Sequence, residues 1–137
     1  MADVKFIDNT VKVKNAIKTN ANAVLEECAG ELESQTKRNT RVKTGKTKNS
    51  WRHRVTEDGD LHTAVVGSDY ENAIWEEFGT GDYALNGNGR KGGWFYKDVK
   101  GKGHFTHGKT PSRALHKAFT GLKSKIINRI QSAFKGL

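Results

Sequence analysis

Two stretches of the sequence match phosphate-binding patterns letter for letter. Gly103-His104-Phe105-Thr106-His107-Gly108-Lys109-Thr110 fits GxxxxGK[ST], and Gly87-Asn88-Gly89-Arg90-Lys91-Gly92 fits GxGxxG. The first pattern cradles phosphates only when a buried apolar strand precedes it and a helix opens at the Gly-Lys. Here Lys97 to Lys102 is charged and glycine-rich, and no acid follows Asp98 to hold Mg²⁺. Pro111 also removes a backbone N–H where the phosphate-facing helix should start. The second pattern needs a strand before it and a helix after it. It sits in a polar loop and runs into Trp94. Neither stretch is read as a nucleotide site.

The remaining chemistry-bearing side chains do not assemble into a catalytic set. Histidines stand at 53, 62, 104, 107 and 116. His104 and His107 make an HxxH pair, but zinc wants four ligands, or three and a water. His53 and His62 would meet only if paired across a hairpin. Glu57, Asp58, Asp60, Asp69, Glu71, Glu76 and Glu77 offer carboxylates, with no basic or nucleophilic partner at a telling spacing. Cys28 is the one cysteine, which excludes an internal disulfide and a cysteine-rich zinc site. The expectation is a protein that is not an enzyme and has no metal or cofactor.

The elements that carry these residues follow from periodicity. Val13, Ile17, Val24, Cys28 and Leu32 recur at helical spacing, which predicts one amphipathic helix from about residue 10 to the high thirties. Cys28 falls on its apolar stripe and reads as a small core residue. Trp51, His53 and Val55 alternate with Arg52, Arg54 and Thr56, the pattern of a strand. Asp58-Gly59 signals a hairpin turn, with Leu61 to Gly67 returning. Tyr70 to Phe78 reads as a short helix in which Tyr70, Ile74 and Phe78 share a face. Residues 79–93 form a long Gly-rich loop, expected to be flexible. Trp94-Phe95-Tyr96 and His104-Phe105-Thr106 read as a second strand pair, its aromatics on the core face of a small sheet. Thr110 as N-cap and Pro111 in the first turn would open a last helix. Leu115, Phe119, Leu122, Ile126 and Ile130 line one face of it. The sum is a single α+β domain over residues 1–137, a small antiparallel sheet flanked by a long N-terminal and a C-terminal helix.

Composition narrows the function classes. The 137 residues are 34% hydrophobic and carry a net charge of +9. No run of 18 apolar residues exists, and the opening MADVKFIDNTVKVK has no apolar stretch of signal-peptide length, so the reading is a protein made in a reducing cytoplasm with no membrane contact. The charge comes in blocks: −2 over residues 1–36, +8 over 37–54, −8 over 55–82 and +11 over 83–137. Blocks of alternating sign suit a surface that docks against copies of itself or against two neighbours. They equally suit faces that neutralise one another within the fold. Basic residues interleaved with Trp51, Trp94, Phe95 and Tyr96 also keep a small nucleic-acid-binding protein in view.

Four pieces of sequence, taken in order, resemble a bacteriophage family. Lys43-Thr44-Gly45, then Ser50 and a strand from Trp51, is similar to its T-G-x-L-x-x-S element, with Lys46-Thr47 where a Leu is usual. Tyr70 to Gly81 (YENAIWEEFGTG) is similar to Y-A-x-x-x-E-x-G-T. Gly92-Gly93-Trp94-Phe95-Tyr96 with His104-Phe105-Thr106 and Gly108 resembles a third element. Pro111 to Phe119 (PSRALHKAF) resembles P-x-P-F-L-x-x-A, with Ala114-Leu115 where Phe-Leu is usual. The family is the tail-component proteins of long-tailed bacteriophages and prophages, also described as tail-completion, head–tail joining, minor capsid or neck proteins.

The resemblance implies a structural virion protein with helices flanking a small antiparallel sheet. It implies a homo-oligomeric ring at the head–tail junction. The head connector or head-closure protein would lie on one side and the tail terminator or tail tube protein on the other. It supplies no catalytic residues. Combined with the charge blocks, it makes Glu76, Glu77, Gly79, Thr80, Gly81, Arg90 and Lys91 candidates for one side of a subunit contact. Arg41, Lys43, Lys46, Arg52 and Arg54 are candidates for the other, with the basic residues facing either packaged DNA or a protein neighbour.

Overall fold

The computed structural model describes residues 7–43 and 45–135; Thr44, within the first family-like element, lies outside them. Helix α1 spans Thr10–Asn39 and a short α2 spans Lys46–Ser50. Strands β1 (Arg52–Asp58) and β2 (Leu61–Gly67) form an antiparallel hairpin around Asp58-Gly59. Helix α3 covers Glu71–Phe78, and a single 3₁₀ turn covers Gly81–Tyr83. Strands β3 (Trp94–Lys97) and β4 (Gly103–Thr106) make a second hairpin, and α4 runs over Ala114–Ala133. The fold is α+β. Its strands form two separate two-stranded antiparallel sheets rather than one.

The two long helices lie antiparallel. The Asn20 side chain donates to the carbonyl of Ala133, and Asn39 Nδ2 donates to the carbonyl of Ala114 at 3.2 Å. Between them Glu31 accepts from Lys125 Nζ at 2.9 Å and from Arg129 Nη1 at 2.6 Å. Residues 20–39 of α1 are therefore matched by the whole of α4. The first ten residues of α1 extend past the end of α4 by about 15 Å. On that overhang Val11, Val13 and Ile17 are exposed.

The first hairpin lays its inner face on α1. His53 and Val55 turn inward while Arg52, Arg54 and Thr56 face solvent, the alternation that a half-covered strand requires. The second sheet packs on no helix. Phe95 and Tyr96 are consequently not core residues, contrary to the sequence reading: Phe95 is 80% exposed and Tyr96 is also exposed, while Trp94 is half-buried, its ring against Gly81. Nor does α4 cover a sheet; it packs on α1 and α3.

The buried apolar set is small in number and in side-chain size: Val24, Cys28, Ala29, Trp51, Ala73, Ala114 and Ala118. Ala114 and Ala118 let α4 approach closely, and burial pushes the Cys28 thiol up from its ordinary pKa. A chain of hydrogen bonds ties Trp51 to the end of α1. Its indole N–H donates to Thr40 Oγ1 at 2.9 Å, Thr40 Oγ1 to the carbonyl of Thr36 at 2.7 Å, and Thr36 Oγ1 to the carbonyl of Leu32 at 2.7 Å. Buried polar atoms need such partners, and among the described residues every buried side-chain N or O has one.

Candidate functional site

The chemistry-bearing residues lie apart in the fold. His53 and His62 do not meet. In the hairpin register His53 stands opposite Val66, and His62 opposite Glu57. His53 lies between Glu26 and Glu33 of α1, with Nδ1 3.2 Å from Glu33. Its hydrogen bond to Glu26, aided by that to Glu33, outweighs partial burial and raises its pKa above 6.5. His62 Nδ1 bonds Asn22 at 2.8 Å.

His104 lies on β4 and His107 just beyond its end, each with its own carboxylate at 2.9 Å, Asp98 and Asp82 respectively. Those hydrogen bonds, with backbone N–H groups from Lys102 and Gly92, hold Asp98 and Asp82 below the usual carboxylate range. Among the described residues no group of three or more His, Cys, Asp or Glu side chains could hold a metal.

The phosphate-loop look-alike is occupied by structural bonds. Lys109 N donates to Thr80 Oγ1 at 2.8 Å, Gly108 N to Thr106 Oγ1 at 3.0 Å, and Lys109 Nζ to Glu76 at 2.7 Å. No helix opens at Gly108-Lys109. The segment from 107 to 112 has no regular secondary structure and forms a strap across the end of α3 and the 3₁₀ turn. Thr80 N donates to the carbonyl of Lys109, Asp82 N to that of His107, and Ser112 N to that of Glu76. Gly81 (φ +62°) and Gly108 (φ +115°) make this close approach feasible. A Cβ on Gly81 would overlap the His107 carbonyl oxygen, and one on Gly108 would overlap that of Thr80.

The strap also displaces the start of the last helix. Thr110 and Pro111 do not cap it; α4 begins at Ala114, after Arg113 in the left-handed conformation (φ +58°). The capping role falls to Glu77, which is buried on α3. Its Oε2 accepts from Leu115 N and its Oε1 from His116 N, both at 3.0 Å, and Arg113 stands 3.8 Å away. A carboxylate at a helix N-terminus satisfies orphan N–H groups and opposes the helix dipole.

The residues proposed for a subunit contact therefore have varied surroundings. Glu77 is internal. Burial would raise Glu76, but the hydrogen bonds from Lys109 and Arg41 overcome it and hold its carboxyl low. Arg41 lies 2.8 Å from Glu76 and donates to the carbonyl of Thr110 at 2.7 Å. Gly79, Thr80 and Gly81 belong to the strapped corner. Lys43, Lys46, Arg52, Arg54, Arg90 and Lys91 are exposed, Arg90 standing over the Trp94 ring at 5.6 Å. Sequence reasoning missed Lys109, whose ammonium joins Glu76 to Asn72; its only sequence signal was the misleading GKT.

What the sequence did not announce is the uncovered apolar surface. An apolar groove of about 510 Å³ opens between α3, α4 and the end of β2, walled by Leu32, Val66, Ile74, Phe78, Leu115 and Phe119 over Trp51 and Ala73. Ile74 is 55%, Phe78 44% and Phe119 46% exposed. With the β3–β4 aromatics and the α1 overhang, three apolar surfaces lie open around a thin core. Contiguous apolar surface of this kind marks interaction sites.

An α+β chain of helices and small hairpins with open apolar surfaces has the make-up of an assembly component. The family model described as "Bacteriophage HK97-gp10, putative tail-component" matches residues 4–79, more than half of the chain, and the chain belongs to that family. The match takes in α1, the first hairpin and α3, and ends at Gly79; the β3–β4 arm and α4 lie beyond it. No curated protein and no solved structure matches the chain. The protein is thus a phage tail component, a part of the virion that works through contacts with other virion proteins. No helix among the described residues is long and apolar enough to cross a membrane.

Proposed function

We propose that this tail component joins the head connector to the tail as one subunit of a homo-oligomeric ring, without catalysis. The observation that carries the reading is the family membership over residues 4–79. The open apolar surfaces support it, because a ring subunit has two distinct faces to bury against its neighbours. The exposed cations Arg52 and Arg54 on β1 support it as well, since acidic residues 57, 58 and 60 at the tip of the same hairpin give one element both signs of charge. The neighbours are the head-closure or connector protein above and the tail terminator or tail tube protein below.

Deleting the gene and imaging the products tests the role. Full, DNA-packed heads beside separate tails are expected. Intact infectious particles would remove the joining role and turn attention to nucleic-acid binding, the rival function for a chain of net charge +9. Reversing Arg52 and Arg54 to Glu in complementing phage is expected to lower particle yield while leaving the subunit folded; unchanged yield rules those two arginines out as contacts.

A further inference from the structure

The β3–β4 hairpin is an arm. Among the described residues no α-helix or other strand packs against it, and its base is held by the Gly81–Gly108 strap and by the Trp94 ring against Gly81. One face of it is aromatic. Phe95 and Phe105 stand opposite each other in the register, ring centroids 4.9 Å apart and edge-on, 80% and 51% exposed. Val99 at the turn is fully exposed. The turn is stiff: Asp98 Oδ1 accepts from Lys100 N and Lys102 N, both at 2.9 Å. Two ordered phenyl rings held in solvent on a braced hairpin are the kind of anchor that dominates interfaces once it enters a pocket.

The groove between α3 and α4 is such a pocket. Its polar groups are already engaged: Glu77 caps α4, and the Arg113 guanidinium lies by Glu77 and over the Phe78 ring at 5.3 Å. His116 is the remaining titratable group lining it. The groove therefore suits an apolar occupant. The start of α3 carries Glu71, three residues before the groove-lining Ile74, exposed and in no ion pair among the described residues; Asp69, just ahead of it, lies beside Arg52 and Arg54 instead. The arm carries Lys97, Lys100 and Lys102, exposed and likewise unpaired. Cations beside the phenyl rings match Glu71 beside the groove. The same lysines disfavour arm-on-arm pairing, which would bring six ammonium groups together.

We propose that the Phe95–Phe105 face of the arm of one copy seats in the α3–α4 groove of the next copy. The proposal rests on the ring-subunit reading and names the contact that builds the ring. Arm and groove are different patches, so the contact is heterologous and repeats around a ring instead of stopping at a dimer. Within one chain the strap holds the arm clear of its own groove.

The test is disulfide trapping in phage particles complemented with the full chain. Phe95→Cys combined with Phe119→Cys is expected to give, on mild oxidation, a ladder of dimers and higher multimers that neither single variant gives. Phe105→Cys with Ile74→Cys is a second pair for the same contact. A lysine-reactive cross-linker on wild-type particles separates the two levels. Multimers there without a cysteine ladder overturn the arm-in-groove contact and leave the ring standing; no multimers there overturn both. Should neither double variant enter particles, Phe95→Asp decides. Position 95 is exposed, so the variant folds, yet a carboxylate cannot enter an apolar groove. Exclusion of the folded variant from particles is expected, and incorporation at the wild-type level overturns the proposal.

Discussion

At the scale of single residues, the polar groups inside this fold act mainly as fasteners. Glu77 is a side chain of α3 that ends up as the N-cap of α4. Glu77→Gln keeps the shape but replaces one acceptor oxygen with an NH2 that cannot accept, so one of the two bonds is lost and the other loses its charge; a loss of about 1–3 kcal/mol is expected. It reads as a lower urea midpoint at unchanged slope. Thr40→Val removes the acceptor of the Trp51 indole and strands a buried N–H, with an expected cost of about 1–3 kcal/mol in the same measurement. His53 adds a pH dependence. Its pKa is raised in the folded state by Glu26 and Glu33. The stability it contributes is full below the ordinary histidine value of 6.5 and fades as pH rises through the raised one. Unfolding midpoints of wild type and His53→Gln are therefore expected to lie furthest apart at mildly acid pH and to converge in alkaline buffer. A gap that stays constant with pH would show that the imidazolium between the two glutamates contributes nothing.

At the scale of elements, periodicity foretold more than capping chemistry did. The Val24–Leu32 part of the stripe and the Arg52–Thr56 alternation foretold α1 and β1 because both elements bury one face there, and burial is what periodic sequence records, while Val13 and Ile17 keep the helical spacing but stay uncovered on the overhang. Thr110-Pro111 misled because a local capping signal competes with tertiary bonds. Arg41 and Lys109 tie that segment to Glu76, and Glu77 serves as cap three residues later. The aromatic run 94–96 misled for a related reason. A strand pattern states that a face wants cover, not whether its own chain supplies it. The strap beneath the arm was also illegible, because Gly81 and Gly108 are far apart in sequence and only the fold brings their backbones together. Gly108→Ala is expected to unfasten that strap. Trypsin should then cut at Lys97, Lys100 or Lys102 faster than in wild type, with helical circular dichroism unchanged. Equal cutting rates would mean that the arm does not depend on the strap.

At the scale of the molecule, the charge blocks resolve in part. Glu76 is neutralised by Arg41 and Lys109, and Glu31 by Lys125 and Arg129, so some of the alternation is spent inside the fold. Ion pairs such as these, partly open to solvent, contribute modest stability. Among what is left over is an excess of cations on the arm and the loop before it: Arg90, Lys91, Lys97, Lys100 and Lys102 against the already engaged Asp98. Such a cluster attracts any polyanion, and a protein of net charge +9 should bind duplex DNA without regard to sequence. If all five cations engage, the slope of log affinity against log salt is about −4.5. The aromatic residues separate this generic attraction from a dedicated nucleic-acid reader. A reader that stacks bases on Phe95 would lose about 1–3 kcal/mol per base on Phe95→Ala. The assembly function expects no such loss: Phe95→Ala should leave both the affinity for single-stranded oligonucleotides and its salt slope unchanged in fluorescence anisotropy, while Lys97→Ala with Lys100→Ala makes the slope shallower. A large drop with Phe95→Ala alone would make the arm a stacking platform and move the chain's work from joining proteins to holding nucleic acid.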